Sequence, residues 1–152
     1  MTVVDIRRCA VDAVEHAPNS IALLSEYAAE SSIAQLGTPA AQWATYRQLV
    51  DAGSAHFIGA FRGDELVGFL VMLVAVLPHY GLRVASTESF FVTRTARKSG
   101  AGLQLLHEAE QLATELGATG FFVSAPTGGR LAKVLPGVGF AETNQVFFKV
   151  LS

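Results

Sequence analysis

The sequence predicts one mixed α/β domain, and three observations carry that reading. Two strand-like runs, His56 to Phe61 and Leu66 to Leu77, flank the polar turn Arg62-Gly63-Asp64-Glu65, the pattern of a β-hairpin. A third strand-like run, Leu82 to Thr93, leads through a glycine-rich turn into a helical run, Leu103 to Leu116. A short apolar run follows that helix, as in a β-α-β crossover. The chain has 152 residues, 51% of them hydrophobic and 16% charged, which fits a single domain spanning 1–152 with a substantial core and argues against disorder.

Taken in order, Val3 to Ala10 predicts a first strand, with β-branched Val3, Val4 and Ile6. Asn19-Ser20 offers helix-capping side chains, and Leu24, Tyr27 and Ala28 share one face of a helix over Ile21 to Glu30. Ser31 to Gly37 reads as a loop. Thr38-Pro39 starts a second helix, which carries Trp43 and Leu49 and stops near Gly53. The run Leu66 to Leu77 is apolar at nearly every position, as expected of a strand covered on both faces. Pro78-His79-Tyr80-Gly81 is the next turn. On the later helix, Leu103, Leu106, Ala109, Leu112, Ala113 and Leu116 form an apolar stripe that Gly117 ends. Thr119 to Ser124 predicts a short buried strand, Gly128 to Val134 a short helix and Val146 to Leu151 a closing strand.

Formal net charge is −2 and the pI near 6, which disfavours a general nucleic-acid surface. Charge is uneven, however: Arg83, Arg94, Arg97 and Lys98 share one stretch with a single acid, Glu88. The longest apolar run spans about twelve residues, too short for a membrane helix. The N-terminal residues lack the basic-then-apolar pattern of a signal peptide. One cysteine, Cys9, excludes an intrachain disulfide and reads as a packing residue. These features fit a cytoplasmic protein that binds no membrane. The high apolar fraction also leaves material for a homodimer interface. His16, His56, His79 and His107 lack metal-ligand spacing, so no metal is expected.

The sharpest local signal is Arg97-Lys98-Ser99-Gly100-Ala101-Gly102, between a strand and a helix. Glycines there let backbone N–H groups converge on an anion, the helix adds the positive end of its dipole, and Arg97 and Lys98 add full charges. The combination suits a diphosphate. It is not a P-loop, because the Gly-Lys-Ser/Thr ending is absent.

With its neighbours, this turn resembles the GCN5-related N-acetyltransferases. That family carries Arg/Gln-x-x-Gly-x-Gly/Ala, an apolar residue five positions before the arginine, and in many members a glutamate four positions earlier still. Here these are Arg97-x-x-Gly100-x-Gly102, Val92 and Glu88. Val138-Gly139-Phe140 resembles the family's frequent Leu-Gly-Phe. The resemblance implies an acyl-CoA N-acyltransferase fold: a mixed, mostly antiparallel twisted sheet flanked by helices. It also implies transfer of an acetyl group from acetyl-CoA, as co-substrate, to a primary amine of a small molecule or protein. Cofactor binding falls to Phe91, Val92, Arg97, Lys98, Ser99, Gly100, Ala101 and Gly102. A backbone N–H near Val92 would meet the thioester oxygen.

Two readings of Glu88 stand side by side. An acid in an apolar strand is either a solvent-facing residue or a carboxylate facing a cleft, where burial raises its pKa into a useful range for a base. The family's usual general acid, a tyrosine, has no counterpart: Leu135 stands near its position, and no tyrosine follows Tyr80. An asparagine common before it is replaced by Thr127-Gly128-Gly129. His79 and Tyr80 are weaker candidates for a substrate cleft. Trp43 and Tyr46 read as core or lid packing on a helix that flanks the acceptor in the family. His107 reads as a surface or packing residue, and Ser99 and Ser124 lack a base for serine catalysis. Two further classes stay open: an inactive CoA-binding or regulatory module, and an interaction domain that binds no CoA.

Overall fold

A computed structural model describes residues 3–31, 33–37 and 39–152 and divides them into two compact units, 1–122 and 123–152. The first unit runs β1 (Asp5–Cys9), α1 (Val11–Glu15), α2 (Ser20–Ser31), α3 (Trp43–Asp51), β2 (Ala55–Arg62), β3 (Glu65–Leu77), β4 (Leu82–Val92), α4 (Ala101–Glu115) and β5 (Phe121–Phe122). Single 3-10 segments span Ala34–Leu36 and Arg94–Ser99.

The five strands lie in sequence order, β1-β2-β3-β4-β5. The first three pairings are antiparallel and β4–β5 is parallel, its crossover made through α4. Arg62 pairs with Glu65 across the two-residue loop Gly63-Asp64, so the predicted hairpin forms where the sequence placed it. Side chains alternate across β3. Phe69 and Val71 join Val11, Val14, Leu23, Phe57 and Phe91 in one cluster, with Tyr27, Trp43 and Tyr46 packed against it. The adjacent Leu70 and Met72 are fully buried, and α4 packs across the central strands. This explains the unbroken apolar character of β3: both its faces are covered.

Several expectations are corrected. Asn19 caps no helix with its side chain. Its amide instead brackets the start of β3, donating to the Leu66 carbonyl (2.8 Å) and accepting from the Leu66 N–H (2.9 Å). The short helix α1 has too few residues to show a period, and the sequence reading missed it. The second predicted helix begins at Trp43, four residues beyond Pro39; Thr38 lies outside the described residues. Leu103 is 46% exposed, and the buried stripe of α4 is instead Ala101, Leu105, Leu106, Ala109 and Ala113. The strand expected over Thr119 to Ser124 shortens to Phe121–Phe122, half-buried to exposed rather than buried.

The second unit holds α5 (Arg130–Val134) and the 3-10 turn Leu135–Val138, in which Leu135 is buried. The closing strand expected over Val146 to Leu151 is absent among the described residues. Its composition favours extended chain, but a strand needs a paired neighbour, and the unit contains no other. No helix among the described residues is long and apolar enough to cross a membrane.

Candidate active site

The site is built on the C-terminal half of β4. Ser89 faces Val71 and Thr87 faces Met72, which leaves Glu88 as an extra residue in β4 with no counterpart on β3. Such a bulge bends the strand and re-aims the side chain it inserts. On its other side β4 pairs with β5 at Ala85 and Ser86, and among the described residues no strand continues that pairing from Glu88 to Val92. The Thr93 N–H donates to the Val67 carbonyl (2.8 Å), so Val92 opposite Gly68 is a non-hydrogen-bonded pair. The N–H and C=O of Val92 therefore point away from β3, into the open edge. Gly68 permits this approach: a Cβ there would lie 2.9 Å from the Phe91 carbonyl oxygen, which is backbone and cannot yield.

The predicted anion turn follows directly. Arg94–Ser99 forms one 3-10 segment, Gly100 reverses it at φ +84°, and α4 starts at Ala101. That left-handed conformation is what the glycine provides. The Ser99 hydroxyl donates to the Ala96 carbonyl (2.5 Å) and accepts from the Ala101 N–H (3.3 Å), so Ser99 braces the turn. Ala101 is fully buried and anchors the helix start. The N–H groups of Gly102 and Leu103 lie in the first turn of a 15-residue helix, where no carbonyl precedes them in the ladder. Lys98 is exposed.

Arg97 is more engaged than the sequence suggested. Its Nε donates to the Val92 carbonyl (3.0 Å), its Nη2 to Glu30 (2.7 Å), and its guanidinium lies 5.4 Å from the centre of the Phe91 ring. One helical turn away, Glu26 accepts a hydrogen bond from the Thr93 hydroxyl (2.7 Å). The Arg97 guanidinium holds the Glu30 carboxyl below the usual carboxylate range. Glu88 is thus not the sole acid near the basic stretch, because α2 brings two more. Their spacing of four residues on one helix was the available signal.

Of the two readings left open for Glu88, the structure bears out exposure and not burial. Its two oxygens share the hydroxyl proton of Tyr46, at 2.9 and 3.0 Å. Tyr46 comes from α3 and sits edge-on to Phe57, ring centres 5.3 Å apart, beside Trp43 at 5.9 Å. Burial, reinforced by the Glu88 charge, pushes the Tyr46 phenol well above its ordinary pKa, so it stays a donor. Tyr27, also near Glu88, is raised for the same two reasons. The sequence reading treated Tyr46 as packing and missed its hydroxyl. Forty-two residues separate the partners, so no local pattern links them.

Alongside, α2, α3 and the segment before α3 enclose an open groove of about 680 Å³, with Leu24, Ala28, Pro39, Ala41 and Trp43 in its walls. None of the described residues lining it carries an ionisable side chain. His79 and Tyr80 stack on each other in the turn at the far end of β4 from Val92 and do not meet the site. Cys9 is half-buried, and the loss of solvent around it raises its thiol to about 11, which supports its reading as a packing residue. Asp12, Glu15 and His16 lie close together, but Arg47 pairs with both carboxylates.

The acetyltransferase (GNAT) family model matches residues 21–129. No curated protein matches the chain. Among solved structures, the ribosomal-protein-alanine N-acetyltransferase of Brucella melitensis biovar Abortus 2308 is 23% identical with a TM-score of 0.72, covering 98% of this chain and 99% of that one. An aminoglycoside acetyltransferase from an uncultured soil metagenomic sample is 19% identical with a TM-score of 0.76, covering 98% and 97%. Glucosamine-6-phosphate N-acetyltransferase from Arabidopsis thaliana is 9% identical with a TM-score of 0.76, covering 99% of both. At such identities the likeness establishes the fold, which hosts several acceptors.

Proposed function

Because the chain belongs to the acetyltransferase (GNAT) family, we propose that it transfers an acetyl group from acetyl-CoA to a primary amine of a small molecule or protein by direct attack. The new N–C bond forms as the C–S bond breaks, the thiolate leaves as CoA, and the amine loses a proton. The reading takes residues 1–152 as one catalytic domain working in the cytoplasm.

The observation that carries it is the open β4 edge running straight into the Gly100 turn. In this reading the turn receives the diphosphate: Gly102 and Leu103 lend N–H groups at the positive end of the α4 dipole, and Lys98 and Arg97 add positive charge nearby, Arg97 while tied to Glu30 and the Val92 carbonyl. The pantetheine arm would lie along the edge against Val92. The Val92 N–H, pointing into the edge, is the donor for the thioester oxygen, a role worth about 3 kcal/mol of barrier. Glu88, directly or through water, takes the proton from the attacking amine.

Calorimetric titration with acetyl-CoA, beside an Arg97→Glu, Gly100→Asp double variant, tests the cofactor half. Binding by the parent and none by a still-folded variant supports it; no binding by the parent sinks the acetyltransferase reading. The inactive-module alternative draws on the missing tyrosine, with Leu135 near its place. It predicts binding without turnover of any amine.

A further inference from the structure

We propose that Tyr46 is a positioning residue for acetyl transfer: its hydroxyl fixes the Glu88 carboxylate, and through it the proton acceptor, at the open β4 edge. The inference rests on the reading of Glu88 as the base.

Glu88 needs such a partner. It is exposed, it stands in a bulge without a cross-strand neighbour, and among the described residues no cation pairs with it. An unrestrained glutamate at such a position samples many rotamers, and each one away from the cleft is unproductive. Tyr46 removes that freedom by donating one proton between both carboxylate oxygens. The ring cannot follow Glu88 outward, because Phe57 meets it edge-on and Trp43 flanks it.

The chemistry of the partner matters as much as its place. An arginine or lysine would neutralise the carboxylate and compete with an ammonium substrate for it. A phenol is neutral and leaves lone pairs on both carboxylate oxygens for the amine or an intervening water. The raised Tyr46 pKa keeps the proton on the phenol at the alkaline pH where acetyltransfer to free amines is fastest. Because Tyr46 belongs to α3, the helix that also walls the uncharged groove, the base is held by the same element that borders the space beside it.

The test is steady-state turnover of Tyr46→Phe, Glu88→Gln and the double variant. CoA release is followed with a thiol reagent, against a panel of kanamycin, tyramine and an alanine-initiated peptide. Melting curves verify the fold, and Tyr46→Phe keeps the ring and its packing. The expected result is that Glu88→Gln lowers kcat about 100-fold. Tyr46→Phe lowers it about 10-fold with KM for acetyl-CoA within twofold, as expected for loss of one hydrogen bond to a charged group. The double variant matches Glu88→Gln alone, because Tyr46 acts only through Glu88. Tyr46→Phe equal to the parent, or losses that multiply in the double variant, overturns this inference and leaves the base reading intact. An unchanged Glu88→Gln overturns the base reading and this one with it, as does no turnover of any amine despite acetyl-CoA binding.

Discussion

The glycine turn and the surroundings of Glu88 lie at the two ends of one stretch of chain, yet they are built by opposite means. The turn from Arg94 to Gly102 is local: its shape comes from Gly100, its brace from Ser99, and its N–H groups from the helix that starts one residue later. The surroundings of Glu88 are remote, because Tyr46 arrives from α3 and its ring is set by Phe57 on β2. A site made of backbone tolerates many side chains, whereas a site made of long-range side-chain contacts depends on each of them. Arg97 belongs to both kinds. It sits in the local turn and is tied to Glu30 on α2, 67 residues away.

Breaking the backbone half has the largest expected effect. Gly100→Ala forces a side chain into the left-handed region at φ +84°, where only the Gln104 side chain is near. The strain costs about 1–2 kcal/mol. Acetyl-CoA affinity should fall about 10-fold, read by calorimetry, and thermal melting should drop with it. An unchanged affinity means that the turn geometry does not set the anion site.

Glu30→Gln sharpens the comparison at the residue both halves share. It releases Arg97 and removes a negative charge beside the turn, so acetyl-CoA binding should tighten about threefold at low salt. The same change should cost about 0.2–1 kcal/mol of stability at neutral pH. The sign follows from Arg97 depressing the Glu30 pKa in the folded chain. The pair stabilises fully above the unfolded value of about 4.3 and fades as pH falls through the lower folded one. The stability gap between parent and variant should therefore close below about pH 4, as read by denaturant melts across pH.

Gly102→Ala has the smallest expected effect. A Cβ there meets the Val92 side chain at 3.7 Å, an ordinary contact, and the residue is helical. Affinity should change less than twofold, and a large loss would mean that the cofactor needs the space above that residue.

Much of the scaffold was legible because its determinants are neighbours in the chain. The hairpin over His56 to Leu77, the apolar central strand and the glycine turn before α4 each follow from composition and spacing within about twenty residues. The family likeness of Glu88, Val92 and Arg97 to Gly102 was likewise a matter of spacing, and the family match over 21–129 agrees with it. What the sequence could not express was pairing. The expected strand over Val146 to Leu151 has the right side chains and no partner in its unit. The stripe of α4 was misplaced at Leu103 because periodicity gives a face only to within a residue or so.

By itself, then, the sequence determined the main strands and helices from His56 to Leu116, the conformational need for glycine at position 100 and the cluster of cations before it. The tertiary structure decided that Glu88 is a bulged, exposed residue rather than a buried one. It also supplied a tyrosine to hold that carboxylate and glutamates to meet Thr93 and Arg97. The physical reason is range: backbone conformation is set by a residue and its neighbours, whereas the partner of a charged side chain is whichever group the packed helices and sheet bring within about 3 Å.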